Sequence, residues 1–384
     1  MLTIYRSNRA EWLAALIAQQ LSIEPPNPFE SIDIVVNTWS TSRWLSEQLA
    51  ITNGVNAQIQ FPFPRAYLRK TVQTFKVGPD YLDPQQLSAV SNKACRNLDL
   101  ILSGEKWVKE SFNHFGGLTD FSFIEGVMGL FDGVGSSSKG STAELAKVLS
   151  LPIVLIVDAR GKAASIAPLI KGFREHDKEL KIAGVVLNNV QSPRHEKILL
   201  EVLNQINIKS LGFLPRCEDL HLPSRHLGLA PVHEILDLEI KVKKWASIAK
   251  DYLDIESFKK LLLPPKFKDK TINYLQKEES GLVHPIAIAE DEAFHFRYQE
   301  SKELLERNGM PTITWKPLEN EPVPKDARGL IIPGGFPEQH AKQLSNSNIT
   351  LNSIKVFAKK SPIYAECGGM MLLGKSLFDL EGRE

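Results

Sequence analysis

The sequence predicts an α/β protein built on parallel, doubly wound sheets. Three observations carry this. Strand and helix patterns alternate with short turns between Phe121 and Leu214, as strand–helix–strand units require. Ile153 to Val157 is a continuous apolar run, the composition of a parallel strand buried on both faces. A second alternation begins near Val283 and leads to a Cys-Gly-Gly turn at Cys367.

In chain order the pattern divides at residues 1–70, 71–252, 253–282 and 283–384. The first segment opens with a strand pattern at Leu2–Tyr5 and an amphipathic helix at Glu11–Leu21. A loop with Pro25, Pro26 and Pro28 follows, then a strand at Ile32–Val36 and a helix at Ser40–Ala50. The second segment predicts strands at Phe121–Ile124, Ile153–Val157, Ile182–Leu187 and Gly212–Leu214. Helices at Ala143–Ser150, Ala164–Phe173 and Glu196–Ile206 separate or follow them. From Ile235 the pattern turns charged and helical, and 253–282 reads as a helical end and linker. The last segment predicts strands at Ile286–Ala289, Gly329–Ile332 and Ile363–Glu366. Its helices are at Tyr298–Arg307, Ile354–Lys359 and from Gly369.

Composition excludes several classes. With 384 residues, 43% hydrophobic and 24% charged, the chain is too apolar to be disordered. Its 46 basic and 45 acidic residues leave +1, so charge gives no case for a nucleic-acid partner. No apolar run approaches the ~18 residues of a membrane span, and no signal peptide is legible. Three cysteines are too few for a disulfide framework or a zinc site, and a cytoplasmic compartment is expected.

The sharpest chemical signal is Tyr364-Ala-Glu-Cys367-Gly-Gly-Met370. A strand, a cysteine, two glycines and a helix start make a nucleophile elbow, where the helix N-terminus would favour the thiolate. Pro333-Gly334-Gly335-Phe-Pro-Glu338 is a second Gly-rich turn, suited to an oxyanion hole or to holding an amino-acid substrate. None of the nine histidines follows Cys367, and His284, His295 and His340 in the last segment have no motif around them. Asp80 and Asp83 lie in a Gly-Pro turn. Glu125 and Asp132 lie in Glu125-Gly-Val-Met-Gly-Leu-Phe-Asp132-Gly, directly after a strand. Four carboxylates on such turns suit Mg²⁺ with a phosphate. A phosphate-loop pattern is not found. Gly135-Ser-Ser-Ser-Lys139-Gly140-Ser141-Thr142 has the lysine before the second glycine, and reads as a loop whose Ser141 or Thr142 caps the next helix. Asp158, after an apolar strand, reads as Walker-B-like in position or equally as a turn residue.

From about Val72 onward the chain resembles the cobyrinate a,c-diamide synthase family. The phrases are Phe75-Lys-Val-Gly-Pro-Asp-Tyr-Leu-Asp83, Glu125 to Gly133, Gly184-Val-Val-Leu-Asn-Asn189, Leu222-Pro-Ser-Arg-His-Leu-Gly228, Pro333 to Glu338 and Glu366-Cys-Gly-Gly369. The resemblance implies a P-loop-NTPase-like parallel-sheet amidoligase domain, followed by a truncated class I glutamine amidotransferase-like α/β domain. It implies ATP and Mg²⁺ as cofactors. ATP would activate the a and c acetates of cobyrinate as acyl phosphates, and ammonia from glutamine would attack them. It assigns Cys367 as the glutaminase nucleophile, and Gly334, Gly335 and Glu338 to the oxyanion hole and glutamine. It assigns Asp80, Asp83 and Asp132 to substrate and phosphate, Glu125 to the metal and Asn188 to the nucleotide. Hydrogenobyrinate is not separated from cobyrinate, and a homodimer is one assembly considered.

The chain departs from that family at two places. Where a first strand and P-loop should precede Lys76, it has Gln58-Ile-Gln-Phe-Pro-Phe-Pro-Arg-Ala66. The expected result is an unfilled sheet position with an exposed apolar edge. The glutaminase histidine expected after the nucleophile is also missing. The first seventy residues resemble the N-terminus of the exonuclease V gamma chain, through Tyr5–Arg9, Trp44-Leu45 and Phe61–Pro64. Hence the chain reads as a fusion. The alternative functions are an exonuclease V gamma-type DNA-repair fragment and a non-catalytic corrin-binding remnant. The first is weakened by a segment with only six basic against five acidic side chains.

Overall fold

In a computed structural model, the described residues are 10–23, 32–33, 44–50, 59–60, 71–262 except 223, 226, 227, 230 and 236, then 283–376 and 382. The expected strand Leu2–Tyr5, the Pro25–Pro28 loop and most of 253–282 lie outside them. The chain forms two compact units, Met1–Lys70 and Thr71–Glu384. In the first, helices Ala10–Ile23 and 44–50 pack through Ala14, Ala18, Leu45 and Leu49. Strands β1 (Ile32–Asp33) and β2 (Ile59–Gln60) pair in parallel.

The second unit contains three parallel sheets. In the first, β3 (Val72–Val77) lies between β4 (Arg96–Leu98) and β5 (Phe121–Glu125). The sequence reading placed no element between 71 and 120. The structure puts two strands there, with helices Asp83–Ser91 and Gly104–Gly117. The second helix buries Val108, Ser111, Phe112 and Phe115, an i, i+3, i+4, i+7 stripe. In the second sheet β7 (Ile182–Val190) lies between β6 (Ile153–Asp158) and β8 (Ser210–Pro215), and two short strands after it, β9 (Ser224–Arg225) and β10 (Gly228–Leu229), pair antiparallel.

Helix Thr142–Val148 joins the two sheets. Leu145 packs into the β3 core, while Ala143 and Ala146 pack into the β6 core. Ser141 caps it by accepting from the Glu144 N–H at 3.2 Å, so the Ser/Gly loop is a helix cap as expected. No hydrogen bond joins β5 to β6 among the described residues, where each stands last in its sheet. The expectation that Ile153–Val157 is buried on both faces is corrected here. Ile153, Leu155 and Val157 are buried, but Ile156 is 71% exposed. On β5, Phe123 is 45% exposed. Among the described residues no further layer covers Ile156, as one would cover a fully buried parallel strand.

In the third sheet the order is β12 (Thr312–Trp315), β11 (Ile286–Ala289), β13 (Gly329–Ile332) and β14 (Ile363–Ala365), all parallel. Ala287, Ala289, Phe294, Trp315, Leu330 and Ile332 form its core. The helix expected at Ile354–Lys359 starts earlier, at Asn348–Phe357.

Candidate functional site

Strand β3 carries polar side chains into a buried position. Gln73 and Lys76 are 4% and 3% exposed. Gln73 Nε2 donates to the carbonyls of Thr74 and Ala94. The Lys76 ammonium donates to Asp83 Oδ2 at 2.5 Å and to Gly126 O at 3.0 Å. It also lies 3.3 Å from Glu125 Oε1 and 3.6 Å from Asp80 Oδ2. The turn that brings Asp80 and Asp83 round begins at Gly78, with φ +75°, while Glu125 comes from the end of β5. Asp80 Oδ1 then accepts from the N–H groups of Leu82 and Asp83, fixing the start of helix Asp83–Ser91.

Three carboxylates thus share one cation. Burial raises the Asp83 and Glu125 pKa values, and the pull of Lys76 only partly offsets it. Burial alone would lower the Lys76 pKa, but Asp83, Glu125 and Asp80 outweigh it and the net shift is upward. Lys76 lies within the family phrase, but the sequence alone does not mark it as a site residue. Its signal was a lysine inside a strand pattern, four residues before Asp80.

A cleft of about 590 Å³ opens beside this cluster, lined by Gly78, Asp80, Tyr81, Asp99, Asp132 and Lys139 among others. It brings Asp80 and Asp132 together, and Lys76 links Asp80 to Asp83 and Glu125. Asp132 Oδ2 accepts from Gly129 N at 2.8 Å. Asp99 was not anticipated; its Oδ1 accepts from Ile101 and Leu102, which makes it a turn residue. Phe296, from the β11 side of the unit, also lines the cleft. Tyr81 stacks on it at 5.5 Å and on Tyr298 at 4.6 Å. Among the described residues no three His, Cys, Asp or Glu side chains converge as a metal cage. Mg²⁺ takes only one or two protein carboxylates when phosphate and water complete its shell.

Cys367 follows β14 and Gly334 follows β13, so both stand at the carboxyl ends of adjacent parallel strands. The Cys367 backbone has φ +47° and ψ −117°, a left-handed, strained conformation for a non-glycine residue. The strain of the elbow therefore sits on the cysteine itself. The two glycines after it are required by packing. A Cβ on Gly369 would lie 2.0 Å from Ile332 O, and one on Gly368 2.7 Å from Pro337 Cδ. Helix Gly368–Leu372 has only five residues. A Cβ on Gly334 would meet the Cys367 Cβ at 3.3 Å, so that turn lies directly against the cysteine. Gly335 faces Ala293 O, which a Cβ would approach to 2.1 Å. Glu338 lies on the short helix Pro337–His340 that follows. No His ring hydrogen-bonds Cys367 among the described residues. His295 instead meets Gln85 Nε2 through Nδ1 at 3.0 Å, and burial lowers its pKa to about 4. Cys367 is the exposed cysteine, whereas burial pushes the Cys95 thiol up to about 12.

Asn188 sits apart from this cleft, on β7 opposite Asp158 of β6. Its Oδ1 accepts from Asn189 N at 2.9 Å. Asp158 Oδ1 accepts from Arg160 N and Asn189 Nδ2, both at 3.0 Å, which is the turn role.

A family model described as a CobB/CobQ-like glutamine amidotransferase domain matches residues 285–384, and an AAA domain model matches 100–224. The cobyrinate a,c-diamide synthase of Caldanaerobacter subterraneus subsp. tengcongensis is 44% identical over 314 residues, 81% of this chain and 69% of the relative. The chain belongs to the cobyrinate a,c-diamide synthase family. Relatives of the same name from Synechococcus sp. and Gloeobacter violaceus are 39% and 40% identical. They cover 81% and 83% of this chain, and 69% and 71% of their own lengths are matched. A third model, described as RecC, N-terminal domain, matches residues 2–114. This agrees with the separate resemblance of the N-terminal segment, and it runs past Lys70 through β3 and β4. No helix among the described residues is long and apolar enough to cross a membrane.

Proposed function

We propose that the chain serves the amidation of the a and c carboxylates of cobyrinate, with ATP as activator and glutamine as nitrogen donor. The observation that carries this reading is the convergence of Asp80, Asp83 and Glu125 on buried Lys76, beside a cleft that also holds Asp132. In this reading the substrate carboxylate attacks the γ-phosphorus of ATP and ADP leaves. Ammonia then attacks the acyl carbon and phosphate leaves. Lys76 holds the three carboxylates together, two from the turn and Glu125 from the end of β5; without it their mutual repulsion would spread them. Asp80, Asp83 and Asp132 face the corrin carboxylate and the phosphate, and Asn188 contacts the nucleotide. Glu125 would hold Mg²⁺, which supplies charge neutralisation at the phosphates. At the other centre the Cys367 thiolate attacks the glutamine carboxamide carbon, the C–N bond breaks and ammonia leaves, and water then hydrolyses the thioester to glutamate and the free cysteine. The N–H groups of Gly334 and Gly335 receive the developing oxyanion, and Glu338 faces the amino acid.

The test is incubation of the full chain with cobyrinate, ATP, Mg²⁺ and either glutamine or ammonium, with the corrin products read by mass spectrometry. Mono- and diamide formation from ammonium supports the reading, and a Cys367→Ser variant should lose only the glutamine-driven part. A second reading, corrin binding without turnover, is favoured by one feature. Among the described residues no Gly-rich loop with a following lysine leads from a strand into a helix, so β- and γ-phosphates lack their usual cradle. Corrin binding with no product from either donor would establish that second reading and overturn the first.

A further inference from the structure

Arg96 and Asn97 are consecutive on β4, so their side chains leave opposite faces of the strand. Arg96 is 7% exposed. Its guanidinium forks onto Glu303, Nη1 to Oε2 at 2.7 Å and Nη2 to Oε1 at 2.8 Å. Glu300 Oε1 lies 3.8 Å from Nη1, and the guanidinium carbon stands 3.7 Å over the Phe115 ring. Glu300 and Glu303 belong to helix Gln299–Arg307 of the amidotransferase-like part. Asn97 turns the other way. Its Nδ2 donates to Gly78 O at 3.0 Å and to Asp80 O at 2.8 Å, the two carbonyls that shape the carboxylate turn. One short strand therefore grips the amidotransferase-like helix with one residue and the carboxylate turn with the next.

We propose that Arg96 and Asn97 are positioning residues that pass the seating of helix Gln299–Arg307 to the turn Gly78–Asp83. The physical basis is that a forked Arg–Glu pair with the arginine buried has little freedom to slide. A shift of the helix moves the β4 backbone, and Asn97 moves with it. The Asp80 carboxylate, fixed to the turn by Leu82 and Asp83, then changes its distance to Lys76. The proposal deepens the reading above by naming how the two chemical centres would be kept in step, but its test needs no turnover.

That test is hydrogen exchange by mass spectrometry on the full chain. Glu303→Ala should speed exchange of the 78–83 amides about tenfold, although Glu303 touches none of them. Glu303→Gln keeps an acceptor for the guanidinium and should give an intermediate rate with an intact fold. In a double-mutant cycle, Arg96→Met with Glu303→Ala should match Arg96→Met alone, because both act through one pair. Asn97→Ala should free the turn while leaving 299–307 unchanged. The proposal is overturned if Glu303→Ala and Glu303→Gln alter only 299–307. It is equally overturned if they speed 153–158 and 182–190 as much as the turn. A wild-type chain that makes no amide would sink the functional reading and leave this result untouched.

Discussion

Strands β3 and β6 are alike in length and opposite in what their sequences promise. Val72-Gln-Thr-Phe-Lys-Val77 looks too polar for a buried strand, yet five of its six residues are buried. Ile153-Val-Leu-Ile-Val-Asp158 looks buried throughout, yet Ile156 is 71% exposed. The difference has a physical cause on each side. On β3 every buried polar head has a partner: carbonyls for Gln73, carboxylates for Lys76. On β6 the residues are right for an interior, but one neighbouring strand and one covering layer are lacking among the described residues. Buried polarity with partners marks chemistry, and unpartnered apolarity marks a missing neighbour.

That contrast can be broken experimentally. The largest effect is expected from Lys76→Met, which strips the cation from three carboxylates. It should cost about 3–5 kcal/mol in urea unfolding, as for removal of one partner from a buried ion pair. Gln73→Leu removes the side-chain donor to the carbonyls of Thr74 and Ala94 and should cost about 1–3 kcal/mol by the same assay.

The pH dependence should differ in sign between the two strand ends. The Asp83 pKa is raised by burial, so the folded state holds its proton longer and stability falls as pH rises through the shifted value. The Asp158 pKa is lowered by the N–H of Arg160 and by Asn189, so its contribution is present at neutral pH and lost on acidification. Melting temperatures across the acid range should show Asp83→Asn removing a falling slope and Asp158→Asn removing a rising one. The smallest effect belongs to Ile156→Ala, within about 0.5 kcal/mol of wild type despite its place mid-strand. A loss of several kcal/mol there would mean that Ile156 is covered.

The amidotransferase-like part was the most legible. Strands Ile286–Ala289 and Gly329–Ile332 fall at the expected residues, because apolar runs bounded by Pro and Gly leave little choice of register. Cys367 was legible from its turn, whereas the close backbone approach that requires Gly368 and Gly369 is invisible without the fold. The stretch 71–120 was not legible. Its strands carry Gln, Lys, Arg and Asn where periodicity expects apolar residues, and those residues form the cluster and its couplings. For the same reason Asp80 and Asp83 could be named from their Gly-Pro turn, while Lys76 could not.

The most direct test of the account is a titration of the full chain with cobyrinate, followed through the corrin's visible absorbance, against Asp132→Asn. Asp132 lines the cleft and its described hydrogen bond is a local one to Gly129, so this variant should keep the fold. The account predicts that the wild type binds cobyrinate and that Asp132→Asn binds it about tenfold more weakly, a loss near 1.4 kcal/mol. No binding by the wild type, or equal binding by both, would contradict it.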